Sequence, residues 1–222
     1  MVDLTVFLGN PGREYARNRH NAAWLFAEHL PFYASLRWRK KFKGLYACLD
    51  ADRAGGVSSA PQGPSRVPEP RTLHFLKPET FMNVSGEAAA AAAAFFRIDA
   101  ASILVVHDEL ELPLGTVSLK RGGGLGGHNG LRSMKLSLGT ADFWRFRFGI
   151  GRPDGRAPGE GGPPGSGKGI VEWVLSDFSA AEVAVLDRVF AITADAFTAV
   201  LTGEPAALLP VWGKRRPLDA DL

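Results

Sequence analysis

Short, mostly apolar runs of four or five residues, separated by stretches with helical spacing, constrain this chain more than any other feature. Leu4–Leu8, Leu45–Leu49, Thr72–Leu76 and Ile103–Val106 are too short for helices and have the apolar character of strands buried on both faces of a sheet. Thr116–Lys120 reads as a further strand. In Phe143–Phe148, Trp144, Phe146 and Phe148 alternate with Arg145 and Arg147, which predicts one face on the core and the other towards solvent or an anion. Helical patterns fill the gaps. Asn21–Leu30 carries Trp24, Leu25 and Phe26, Ser85–Phe96 begins on a serine suited to capping, and another helix is expected near Leu131. Ser179 and Glu182 have capping-box spacing, and Val183, Leu186, Phe190, Phe197 and Leu201 follow at helical intervals until Gly203 and Pro205 close the helix.

Strands alternating with helices predict one α/β domain over residues 1–222, with a mixed, mostly parallel central sheet flanked by helices on both faces. Two stretches interrupt it, at about 54–70 and 153–168. Both are rich in Gly and Pro, and the second contains GRAPGEGGPPGSGK, so both are expected to be flexible loop insertions.

With 222 residues, 45% hydrophobic and 22% charged, the composition is ordinary for a soluble globular protein. The net charge of +3 permits a nucleic-acid partner without requiring one. The single cysteine, Cys48, excludes an internal disulfide and a multi-cysteine metal cluster, and within Leu45–Leu49 it reads as a buried bystander rather than a nucleophile. The opening residues lack the basic segment and long apolar core of a signal peptide. No apolar stretch reaches the roughly 18 residues that a membrane span needs. A cytoplasmic protein with no membrane partner is the expectation.

The polar residues gather at strand ends. Asn10 follows the first strand by two residues, Asn83 the third by seven, and Asp108 the fourth by two. In open α/β sheets the ligand crevice lies beyond the carboxyl ends of the strands, so groups distant in sequence can meet there. Each motif also has a plain structural reading. Gly9-Asn10-Pro11-Gly12 suits a tight turn, and the nearby His20 reads either as a solvent-facing helix residue or as a proton acceptor near neutral pH. Asp108, in His107-Asp108-Glu109-Leu110-Glu111, either caps a turn or orients a histidine. Glu109 and Glu111 lack the company of any recognised metal-ligand spacing, so no metal is expected. Phe81 and Met82 read as core residues or as an apolar wall against a ligand. Residues 122, 124 and 127 satisfy GxGxxG, but the run starts no recognisable βαβ unit, and no cofactor is expected. The glycines do allow close approach to a ligand, with His128 and Asn129 supplying polar groups at the end of the run.

Together and in this order, LGNPGREYARNRHNAAW, LKPETFMNVSG, VVHDELELPLG, KRGGGLGGHNGLRS and FRFGIGRP resemble the bacterial peptidyl-tRNA hydrolases from about Leu4 to about Leu201. Departures are mild: Leu125 stands where members often have His, and Glu111 where Asp is usual. The resemblance implies hydrolysis of the ester between a peptide and the 3′-terminal ribose of tRNA, recycling tRNA. It implies His20 as the base, Asp108 as its orienter and Asn10 as donor to the oxyanion. Tyr15, Phe81, Met82, Asn83, His128 and Asn129 would bind substrate, and Lys120 and Arg147 the tRNA 5′-phosphate, with Arg121 and Arg145 on neighbouring segments. A monomer acting on peptidyl-tRNA is the expectation. A non-catalytic RNA-binding relative is the alternative, and retention of both His20 and Asp108 speaks against it.

Overall fold

The computed structural model describes residues 1–55, 71–153 and 167–219. Among them, seven strands form one sheet: β1 (Leu4–Phe7), β2 (Arg39–Lys41), β3 (Gly44–Asp50), β4 (Thr72–Pro78), β5 (Ile103–Glu109), β6 (Val117–Arg121) and β7 (Trp144–Gly149). Their spatial order is β2-β3-β4-β1-β5-β7-β6. The central strands β4, β1, β5 and β7 pair in parallel, while β2, β3 and β6 are attached antiparallel at the two sides. The expected mixed sheet with a parallel centre is therefore the observed one.

Side chains alternate across the central strands and divide the core in two. Leu4, Val6, Ile103 and Val105 pack against α3 (Ser85–Phe96) and α4 (Asn129–Leu138). Phe7, Leu104, Val106 and Phe146 face α1 (Ala22–Ala27) and α6 (Ala180–Thr202). The remaining helices are α2 (Ala51–Ala54), α5 (Gly167–Val174) and α7 (Pro205–Trp212). Alanines on α3 bury a thin apolar stripe, and Gly86 lets α4 approach so closely that a Cβ would lie 2.2 Å from the Ser133 carbonyl oxygen. The Ser179–Glu182 capping box is present at the start of α6.

Several local expectations are corrected. Ser85 is buried inside the first turn of α3 rather than capping it, and its hydroxyl turns back to the Phe81 carbonyl at 3.4 Å. The helix expected over Asn21–Leu30 is the shorter α1, ending at Ala27. Pro205 closes α6 by opening α7 at its first turn, where its missing N–H is harmless. β2 is entirely charged and pairs only with β3, so apolar patterning does not reveal it. Cys48 is exposed: the pleat of β3 turns it outward between buried Ala47 and buried Leu49. Of the two expected insertions, Ala54 belongs to α2 and residues 167–168 to α5, while 56–70 and 154–166 lie outside the described residues.

Candidate active site

The carboxyl ends of β4, β1 and β5 lie side by side, and the chain leaving each carries one part of the site. After β1, Leu8 continues the ladder by donating to the Val106 carbonyl, and the chain then turns at Gly12, whose φ of 118° suits glycine. Asn21 holds this turn from behind: its Oδ1 accepts from the Asn10 backbone N–H at 2.8 Å and its Nδ2 donates to the Asn10 carbonyl at 3.0 Å. Oδ1 of Asn10 in turn accepts the Met82 N–H at 2.8 Å, joining the β1 turn to the segment after β4. With Oδ1 taken, Nδ2 is the donor that Asn10 has left to offer a ligand. Met82 itself is buried against the start of α4, where a Cβ on Gly130 would meet its sulfur at 2.5 Å.

His20 stands in the turn Arg19–Asn21, and Asp108 is the second-last residue of β5. Nδ1 of His20 lies 2.9 Å from Oδ1 and 3.0 Å from Oδ2 of Asp108. Asp108 Oδ1 also lies 3.0 Å from Nε2 of His128. Nδ1 of His128 accepts the Gly130 and Leu131 backbone N–H groups as the cap of α4, so its ring proton resides on Nε2 and is donated to Asp108. One buried carboxylate thus holds two imidazoles, whose ring centroids are 4.9 Å apart.

The electrostatics follow. Burial works to lower the His20 pKa, but the charge and hydrogen bond of Asp108 outweigh it and the net shift is upward. Burial pushes Asp108 up, yet His20 and His128 together hold it well below the usual carboxylate range. His107 is fully buried and donates to the Asp108 carbonyl. Burial first, then the charge of His128, keep it well below the usual imidazole range, so it remains neutral beside the pair. His20, Asp108 and His128 are also a cluster whose ligand atoms lie within 4.8 Å of one another. Their separations of 2.9–3.0 Å are hydrogen-bond lengths.

These groups open into a cavity of about 260 Å³, walled by Gly126, Gly127 and Asn129 on one side and by Ile170, Val171 and Val174 of α5 on another. A larger cleft of about 570 Å³ lies between α1 and α6 and contains none of the expected site residues. Asn129 is exposed, its Oδ1 accepting from Arg132 at 3.2 Å. Phe81 is 60% exposed, Asn83 is exposed and Tyr15 half-buried; none of the three lines this cavity.

The expected cations divide by environment. Lys120 is half-buried, with its amine against Gly123. Arg147 donates to Glu109 at 3.2 Å and to the Ser118 hydroxyl at 2.7 Å. Arg121 forks onto Asp142 at the surface. Arg145 is a correction to the alternating pattern of β7: it is buried and donates to the Gly123 and Gly124 carbonyls at 2.9 and 2.6 Å, pinning the glycine run. Arg19 and Asn21, both buried, were not singled out by sequence reasoning; their positions on either side of His20 were the available signal.

Comparison with known proteins gives one answer. A family model described as peptidyl-tRNA hydrolase matches residues 4–214. The peptidyl-tRNA hydrolase of Treponema pallidum (strain Nichols) is 46% identical over 220 residues, covering 98% of this chain and 97% of the relative. That of Rhodococcus opacus (strain B4) is 44% identical over 198 residues, covering 89% and 90%. Among solved structures, a peptidyl-tRNA hydrolase in complex with N-propanol matches with a TM-score of 0.75 at 29% identity, over 96% of this chain and 94% of that one. The peptidyl-tRNA hydrolase from Acinetobacter baumannii matches with a TM-score of 0.72 at 30% identity, over 96% and 92%.

Proposed function

The chain belongs to the peptidyl-tRNA hydrolase family and hydrolyses peptidyl-tRNA, and from that premise we propose that a water molecule activated by His20 attacks the ester carbonyl. The observation that carries this reading is the double contact of His20 Nδ1 with Asp108. With the proton of the neutral ring on Nδ1, donated to Asp108, Nε2 would be free to act as the base. Water gives its proton to Nε2 as its oxygen bonds to the carbonyl carbon. The bond from that carbon to the ribose 3′ oxygen then breaks, and the imidazolium returns the proton to the leaving hydroxyl. Asn10 Nδ2 donates to the developing oxyanion, a contribution worth roughly 3–4 kcal/mol in a pre-organised site. A covalent route through Cys48 is disfavoured, because β3 lies two strands away from β1. No support exists for the non-catalytic alternative.

Asn129 and Asn83 would bind the peptide backbone, an arrangement suited to ignoring side-chain identity. Tyr15 and the exposed Phe81 offer rings to the terminal nucleoside, with Met82 behind them. Lys120 and Arg147 would hold the 5′-phosphate, and the engagement of Arg147 with Glu109 gives Lys120 the larger share. A monomer is the proposed working unit, and a tRNA substrate supports a cytoplasmic location. The test is release of an N-blocked aminoacyl group from tRNA by the purified protein. Full release by a folded His20→Ala variant would remove this mechanism.

A further inference from the structure

Arg19 precedes the base and is itself buried, with a side chain 5% exposed. Its guanidinium forks onto Glu182 of α6, with Nη1 at 2.8 Å from Oε1 and Nη2 at 2.9 Å from Oε2. Nε reaches the Ser176 hydroxyl at 3.2 Å, and Cζ sits 3.7 Å from the Trp173 ring centroid and 4.9 Å from that of Phe178. The backbone joins in, since the Arg19 N–H donates to the Ser176 carbonyl at 3.0 Å and Asn18 bridges to Asp177. The whole segment 173–178 is therefore fastened to the residue beside His20.

That segment directly continues α5, whose Ile170, Val171 and Val174 form the apolar wall of the cavity facing His20 and Asp108. Trp173 gives the helix a second anchor by donating to the Gly151 carbonyl at 2.8 Å. We propose that Arg19 is a positioning residue for the hydrolysis, a clamp that sets the α5 wall against His20 and keeps the base dry. Stabilising α6 alone would require only the Ser179–Glu182 cap, which is complete without Arg19. The clamp requires arginine, because a lysine ammonium carries the charge but offers neither the two-pronged fork nor the flat face that stacks on Trp173. The inference rests on His20 being the base.

Around the cavity, the charged or titratable groups facing His20 are Asp108 and Glu109 from β5, His128 at the cap of α4 and Arg152 after β7. A loosened wall readmits water while Asp108 and Glu109 on β5 and His128 at the cap of α4 keep their places. The His20 pKa should then rise, because the lowering effect of burial is relieved while Asp108 stays.

The experiment compares Arg19→Lys, Glu182→Gln and Ser179→Ala in the full chain by pH profiles of kcat/KM, by KM for N-blocked aminoacyl-tRNA and by melting temperature. Arg19→Lys should raise KM about tenfold, as expected where a wall of the cavity is no longer set against the substrate, and should move the acid limb to higher pH. Glu182→Gln should move both in the same direction by less, while Ser179→Ala should lower melting alone. If all three lower melting while KM and the acid limb stay at wild-type values, the clamp is overturned and Arg19 only stabilises. An equal shift in Ser179→Ala overturns it in favour of the helix cap. A parallel His20→Ala measurement separates the two readings: surviving turnover removes the base and the clamp with it, whereas lost turnover leaves the Arg19→Lys results to decide on the clamp alone.

Discussion

Nδ1 of His20 lies almost equidistant from the two oxygens of Asp108, at 2.9 and 3.0 Å. A ring proton facing both oxygens resists rotation about the Cβ–Cγ bond, so the carboxylate fixes both the tautomer and the direction of Nε2. Two of the expectations below follow from that contact.

His20→Ala should lower kcat by at least about 10²-fold, the lower end of what a positioned base contributes. KM should change little, because in the proposed mechanism the ring acts on the attacking water rather than on the tRNA. Single-turnover and steady-state kinetics check this, and a kcat within tenfold of wild type counts against His20 as base.

Asp108→Asn should preserve the fold and lower kcat by about 10²-fold or more, because a neutral amide neither selects the tautomer nor supports the imidazolium. The sign of the pH effect is also set. Asp108 raises the His20 pKa against the lowering effect of burial, so its loss should move the acid limb of the residual activity to lower pH. An unmoved limb at full thermal stability would refute the pairing.

Asn10 accepts from the Met82 N–H and is proposed to donate to the oxyanion, and two substitutions separate the two roles. Asn10→Ala removes both the oxyanion donor and the acceptor for the Met82 N–H, so it should cost about 10²–10³-fold in kcat and about 1–3 kcal/mol of stability. Asn10→Asp restores the acceptor for Met82 while replacing the donor by an anion. It should recover much of the stability and none of the activity, as read by melting curves beside initial rates.

Lys120→Ala should raise KM for peptidyl-tRNA and reduce the log–log salt slope by roughly 0.7–0.9 for each phosphate no longer neutralised. Cleavage of a minimal peptidyl-adenosine ester should stay near wild type. Adding Arg147→Ala should extend the effect and also perturb Glu109, which loses its partner. Equal losses on both substrates in the Lys120 variant would place that lysine at the reaction centre instead.

The central strands and the strand-end positions of Asn10 and Asp108 were legible in the sequence because burial on both faces leaves mostly apolar runs, and polar residues just beyond them stand out. The register of β3 was not: a five-residue apolar run does not say which residues the pleat turns outward, and Cys48 is one of them, exposed rather than buried. Nor was the fate of Arg145, since alternation in β7 marks a second face without saying what covers it, and here the glycine run does. His128, expected to bind substrate, lines the cavity and also reaches Asp108, a pairing between residues 20 apart along the chain that no local pattern encodes. Arg19 escaped notice because its partner Glu182 lies 163 positions away.

The sharing of Asp108 has a consequence for the charge of the cavity during turnover. In the proposed mechanism the ionised Asp108 and the neutral His20 carry one negative charge before reaction, and proton uptake by His20 would bring the pair to zero. The negative charge that leaves the pair would be the one that arises on the ester oxygen. Such a reaction would displace charge across the cavity without creating any, and a low-polarity wall such as α5 could enclose it with little solvent rearrangement.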